Sequence, residues 1–175
     1  MLQNTNVSND TPMIDETQYR NVRDLEQVLK KTLRKASPFS AEARQHCQTL
    51  REAYEEVIFS NHQLAQTVDT HQALWKNVFY RCIQEYRSRI RKYSEATRHA
   101  TNERGKAEEL LRQTTAAFGG FLSEATGFYH QLIRRLWQVF GETQLSNYKL
   151  SCHRCLIYLG DLARYSAQYA EGKSG

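Results

Sequence analysis

Ser151-Cys-His-Arg-Cys-Leu-Ile-Tyr-Leu-Gly-Asp-Leu-Ala-Arg-Tyr165 is the stretch whose reading decides the fold. Its apolar residues Cys152, Cys155, Leu156, Leu159, Leu162 and Ala163 recur at spacings of three and four. That is the period of one face of an α-helix. Arg164 and Tyr165 are expected to fall off that face, with Asp161 one turn before Tyr165. A guanidinium on a rigid helix beside a phenol can grip a phosphate. It offers two parallel N–H bonds to two oxygens, and the hydroxyl adds a third donor. The plainer alternative is that Arg164 pairs with a carboxylate on a helix surface.

Reading outward, every periodic segment is helical. Ahead of this stretch, Leu110, Leu111, Phe118, Leu122, Ala125, Phe128, Leu132, Leu136 and Phe140 carry one stripe through a long helix expected over 106–140. Gly119, Gly120 and Gly127 lower its propensity by about 1 kcal/mol each relative to Ala, and suggest a kink or a close helix–helix contact. Gly141 is expected to cap it. A bulkier stripe of Leu74, Trp75, Val78, Phe79, Cys82, Tyr86 and Ile90 predicts a central helix over 70–91. Upstream, Cys47, Leu50, Tyr54, Val57 and Ile58 face inward on a helix ending near Ser60. Ser37 is its expected N-cap and Pro38 its first residue. A first helix over 15–36 uses Tyr19, Val22, Leu25, Leu29 and Leu33. Its acidic start and basic end suit the helix dipole. Residues 1–14 are expected to be a disordered terminus and 171–175 a tail, around one domain over 15–170. No segment has strand period, so the fold class is all-α: an antiparallel bundle of about five helices.

Composition narrows the function classes. The chain has 175 residues, 40% hydrophobic and 25% charged, with only two prolines, as befits a globular domain with a real core. No run of about 18 apolar residues predicts a membrane span, and Met1 to Thr11 lacks the pattern of a secretory signal. Four cysteines, all within helical stripes, fit reduced thiols in an intracellular protein. The net charge of +5 favours anionic partners without choosing among them.

Cys152-His153-Arg154-Cys155 has C-x-x-C spacing. Both cysteines sit on a helical stripe and no second pair completes four ligands, so core packing is expected and no metal. His46, His62, His71, His99 and His130 are scattered, and no phosphate loop or nucleophile motif occurs. No catalytic residue and no cofactor is expected. The segment 87–106 is basic, and Arg89, Arg91 and Lys92 beside Tyr86 and Tyr93 could contact nucleic acid. For a phosphate held by Arg164, the second cation must come from the central helix, where the candidates are Lys76, Arg81 and Arg87. On an ideal helical wheel Lys76, Tyr80 and Arg87 share a stripe about 40° wide beside the buried face.

Three blocks carry a resemblance. The segment 151–165, together with Phe121-Leu-Ser-Glu-Ala-Thr-Gly-Phe-Tyr-His130 and Leu74-Trp-Lys-Asn-Val-Phe-Tyr80, resembles the 14-3-3-like N-terminal domain of the telomerase-binding and nonsense-mediated mRNA decay adaptors. The likeness is greatest to the plant-type decay adaptors. Gly160-Asp161-x-x-Arg164-Tyr165 is similar to the phosphoserine-binding helix of 14-3-3 proteins. The resemblance implies a 14-3-3-like, tetratricopeptide-like fold and a non-enzymatic adaptor that binds phosphoserine or phosphothreonine peptides. The implied partners are the phosphorylated RNA helicase of nonsense-mediated decay, mRNA degradation and phosphatase factors, and a second family member in a heterodimer. It also implies a cytoplasmic location with shuttling to the nucleus. The telomerase-binding branch supplies the alternative, a nucleic-acid-associated accessory protein using 87–106. Two departures stand out. Tyr80 occupies a position where some members carry Lys, and the chain stops ten residues after Tyr165, where the family's domain continues. The second departure predicts exposed apolar surface on the last helix.

Overall fold

The computed structural model describes residues 16–99, 103–142 and 148–170. The expected terminal segments, 1–14 and 171–175, lie outside them. Helix α1 (Glu16–Leu33) and α2 (Ala41–Ser60) form an antiparallel pair. A short α3 (His62–Thr67) leads to α4 (Thr70–Leu74), a π-helical segment (Trp75–Tyr80) and α5 (Arg81–His99). Leu74, Trp75 and Arg81 keep right-handed helical dihedrals, so 70–99 form one rod. Helices α6 (Arg104–Phe140) and α7 (Tyr148–Ala170) complete the chain. Among the described residues there is no strand, and no helix is long and apolar enough to cross a membrane.

Ring contacts fix the directions. Phe79 meets Phe128 at 5.0 Å and Tyr86 meets Phe118 at 5.0 Å, so α6 runs antiparallel to the rod. Tyr129 meets Tyr158 at 5.4 Å and Phe118 meets Tyr169 at 5.0 Å, so α7 runs antiparallel to α6 and parallel to the rod. Tyr54 of α2 ties the other side in. Its hydroxyl donates to Glu26 of α1 at 2.5 Å and accepts from Asn77 of the rod at 2.8 Å. The rod is therefore central, as its bulky stripe implied, with Leu74, Trp75, Val78, Phe79, Cys82, Ile83 and Ile90 buried.

Four details differ from the sequence reading. Helix α2 starts later than Pro38: Ser40 is its N-cap, with Oγ accepting from the Ala43 amide at 3.2 Å. Ser37 instead closes a local turn, accepting from the Phe39 amide. The short α3 was not foreseen, although its signal is visible in Asn61, whose side chain caps the Leu64 amide at 3.0 Å. Gly119, Gly120 and Gly127 mark no close helix contact, since a Cβ at any of them would meet nothing within 4 Å. Helix α6 runs unbroken through them. Gly141 does end α6, its amide donating to the Trp137 carbonyl at 2.8 Å, where a Cβ would collide with that carbonyl.

The π segment was also unforeseen, and it matters for the site. Its wider turn lets residues spaced by four stay on one face. His71, Trp75, Phe79 and Ile83 are all buried on that spacing, whereas an ideal helix would rotate them progressively away. A wheel drawn at 100° per residue therefore misplaces Lys76 and Tyr80 relative to Arg87.

Candidate phosphate-binding site

Helix α7 is amphipathic, but its buried face is not the one its small apolar residues suggest. Ser151, Cys155, Tyr158, Leu162 and Tyr165 are buried, whereas Leu156 and Ala163 face solvent. Tyr165 is 4% exposed and belongs to the core, which corrects its expected place off the apolar face. The reason is geometric: 155, 158, 162 and 165 form a three-four-three row, and aromatic rings with polar tips fill it. Exposed apolar surface does appear on α7, at Leu150, Leu156 and Ile157.

Arg164 follows the buried ring and stays in solvent, 62% exposed at its side chain. Its Nη2 donates to Asp161 Oδ1 at 2.9 Å. The plainer alternative of pairing with a surface carboxylate is thus met within one turn. That hydrogen bond, with a further one to Tyr165, raises the guanidinium's pKa above its ordinary value. The carbon of the guanidinium lies 4.6 Å from the centre of the Tyr165 ring.

Arg87 reaches the same ring from α5. Its guanidinium carbon lies 5.4 Å from the Tyr165 centroid, and its Nε donates to the Tyr169 hydroxyl at 3.3 Å. Two cations from different helices, 77 residues apart in sequence, are held against one aromatic ring. Cation–π attraction, about 0.5–1 kcal/mol for a solvent-exposed guanidinium such as Arg164, partly offsets their mutual repulsion. The arrangement can receive an anion with at least two charge-assisted N–H donors.

The other candidates are not gathered here. Arg81 is six residues from Arg87, about 120° around the helix. Its charge is felt by Cys47 and Cys82 on the side facing α2. It therefore does not complete the Arg87–Arg164 pair. Lys76 is exposed on the π segment, and eleven residues of rise place it about 16 Å along the rod from Arg87. It is too far to share one phosphate. Tyr80 is 37% exposed, its ring 6.2 Å from Trp75.

Of the nucleic-acid candidates, Arg89 is committed to structure. It donates to Glu85 at 2.7 Å and to Ser37 at 2.8 Å, and lies 4.7 Å over the Phe39 ring. Arg91 and Lys92 are exposed. No group of three metal-ligating side chains occurs among the described residues. Cys155 is buried, its thiol pushed up to about 12 by burial first and by Cys152 second. This is the core packing expected of that spacing.

Three contributors escaped the sequence reading. Trp75 stacks on Tyr158 at 4.8 Å with planes 9° apart, setting the spacing between rod and α7. Tyr169 holds Arg87. Asp69, with φ 53° and ψ 49°, sits at the start of α4 without capping it. Asp is one of the few residues that adopt this left-handed conformation readily, and its carboxylate is taken by Arg154 of α7 at 2.7 Å. Only the polar residues at the three-four row of α7 could have hinted at this clamp.

The rod, α6 and α7, which build this arrangement, match a known family. The family described as telomerase activating protein Est1 matches residues 69–170, which is more than half of the chain and takes in the rod, α6 and α7. The nonsense-mediated mRNA decay factor SMG7 of Arabidopsis thaliana is 36% identical over 152 residues, covering 73% of this chain and 14% of that protein. An SMG7-like decay factor of the same plant is 33% identical over 117 residues, covering 66% of this chain and 12% of its own. The telomerase-binding protein EST1A of Danio rerio is 25% identical over 174 residues, with 89% and 10% covered. The chain thus spans between a tenth and a seventh of the length of these curated relatives. None of these three descriptions names a catalysed reaction. From the match across the rod, α6 and α7, and from the 36% identity over most of its length, this chain belongs to the Est1 family.

Proposed function

We propose that this chain is a phosphoserine- or phosphothreonine-peptide-binding adaptor domain acting in nonsense-mediated mRNA decay. The observation that carries the reading is the convergence of Arg87 and Arg164, from separate helices, on the Tyr165 ring. The two guanidiniums clamp the phosphate oxygens through charge-assisted hydrogen bonds. Tyr165, buried beneath them, acts first as the platform that sets their spacing. Its hydroxyl, hydrogen-bonded to Arg164, is the secondary contributor. By likeness to the decay factors, the proposed partner is the phosphorylated RNA helicase of that pathway. Degradation and phosphatase factors would join through other parts of the assembly, and pairing with a second family member is part of the same proposal.

The test is calorimetry with a Ser-Gln-rich peptide, phosphorylated and not, on the wild-type chain and on Arg164→Glu. The expected result is binding that requires the phosphate and that the variant loses. Equal binding of both peptides, or full binding by Arg164→Glu, would remove the site from α7. If a folded chain ignores the phosphopeptide but binds single-stranded RNA with a steep salt dependence lost on reversing Arg91 and Lys92, the nucleic-acid reading replaces this one. That reading starts weaker, because Arg89 is already occupied.

A further inference from the structure

Two thiols far apart in the sequence meet on the other side of the rod. Cys47 lies on α2 and Cys82 on α5, and the two share a hydrogen bond. Both line a cavity of about 220 Å³ between α2, the rod and α6, with Arg44, Arg51 and Glu124 among its walls. Cys47 is partly exposed and Cys82 buried, and neither is in a disulfide. This is the opposite of the C-x-x-C on α7, whose cysteines share one helix. Side chains three apart there have Cβ atoms about 5–6 Å apart, wider than the roughly 3.8 Å a disulfide needs. Joining them would distort the turn. Thiols on two different helices carry no such restraint.

The surroundings give the pair unequal roles. The hydrogen bond from Cys82 lowers the Cys47 thiol's pKa, burial opposes this, and the nearby Arg81 charge lowers it again. Cys82 is pushed well up, by the same hydrogen bond first and by burial second. The partly exposed sulfur is the one that favours the thiolate, the nucleophilic form.

We propose that Cys47 and Cys82 form a peroxide-responsive dithiol, a redox modification site in which Cys47 attacks and Cys82 resolves. The Cys47 thiolate attacks one oxygen of a hydroperoxide. An S–O bond forms, the O–O bond breaks, and the leaving oxygen departs as water or alcohol after taking up a proton. Cys47 becomes a sulfenic acid, oxidised by the two electrons that reduce the peroxide. Cys82 then attacks the Cys47 sulfur. The S–S bond forms as the S–O bond breaks, and hydroxide leaves as water with the Cys82 proton. The product covalently joins α2 to α5, pinning the α1–α2 pair to the rod on the face away from Arg87.

The experiment exposes the reduced 175-residue chain to near-stoichiometric hydrogen peroxide, then blocks free thiols and maps peptides without reduction. The expected result is loss of two of the four thiols, one peptide linking 47 to 82, and recovery of all four thiols with dithiothreitol. In Cys82→Ser, a dimedone adduct should accumulate on Cys47, because nothing resolves the sulfenic acid. Four thiols surviving in the wild type, a 152–155 link at least as abundant, or links only between chains would overturn the proposal. The wild-type map decides the matter even if a variant folds poorly.

Discussion

Arg87 and Arg89 lie two residues apart on one helix and have opposite roles. Arg87 turns toward α7, resting over Tyr165 and donating to Tyr169. Arg89, about 200° around the helix, turns toward the 34–40 turn and is held by Glu85, Ser37 and the Phe39 ring. A guanidinium has five N–H donors. The bond to Tyr169 uses one of Arg87's, while Arg89 spends Nε and Nη2 and stacks its face as well. Both count equally toward a basic segment. Both rest on aromatic rings. The difference is that Arg87 gives one donor to a hydroxyl and lies on the ring that Arg164 also meets, whereas Arg89 gives two, one of them to a carboxylate, on the side facing the 34–40 turn.

The sharpest way to break that comparison is to remove the aromatic surface. Tyr165→Ala should cost about 3–5 kcal/mol of stability, as for other buried aromatic truncations, measured by urea denaturation. Tyr165→Phe keeps the ring and should cost under about 1 kcal/mol, with phosphopeptide affinity reduced only a few-fold. A cost below about 1 kcal/mol for the Ala variant would mean that the ring is not the platform inferred from its burial. Next in size is Arg87→Ala, which should weaken phosphopeptide binding by about 10- to 100-fold, the loss expected for hydrogen bonds to a charged group. Arg89→Ala should change it less than about twofold. The reverse ranking in a titration would move the site to the Arg89 side of α5. Arg89→Ala should instead lower stability by about 1–2 kcal/mol through the lost Phe39 and Ser37 contacts. Its pair with Glu85, both partners about a third exposed, adds little.

Much of the fold was legible because five stripes of apolar residues kept helical period over long distances. Leu50, Tyr54, Val57 and Ile58, and Phe118 through Phe140, fall inward as their spacing requires. What was not legible came from tertiary contacts. Leu156 and Ala163 share the apolar character of Leu162 but face solvent, because Trp75 and Tyr129 offer flat partners to Tyr158 instead. Hydropathy gives a phenol too little weight to reveal this. The π segment has no signature in composition, yet it sets where Lys76 and Tyr80 fall around the rod, so an ideal wheel places Lys76 on one stripe with Arg87. The C-x-x-C drew attention by its spacing, whereas the thiols that meet, Cys47 and Cys82, are joined only by the packing of α2 on the rod.

The smallest expected effect tests the carboxylate beside the site. Asp161 accepts from Arg164 as Glu85 accepts from Arg89, so the two pairs look alike and should act differently. A phosphate entering near Arg164 meets Asp161 as a competitor for the same donors and as a like charge. Asp161→Asn keeps the shape and removes the charge, and should raise phosphopeptide affinity about two- to threefold at low salt, the gain shrinking as ionic strength rises. The ligand's own titration gives an independent control. Its second ionisation lies near pH 6 while guanidiniums stay charged, so binding should weaken as pH falls from 7.5 to 5.5 in wild type and variant alike. Weaker binding by Asp161→Asn would show that Asp161 holds Arg164 in register for the phosphate. The carboxylate would then serve as a positioning partner, and the contrast between the two arginines would narrow to the surfaces they rest on.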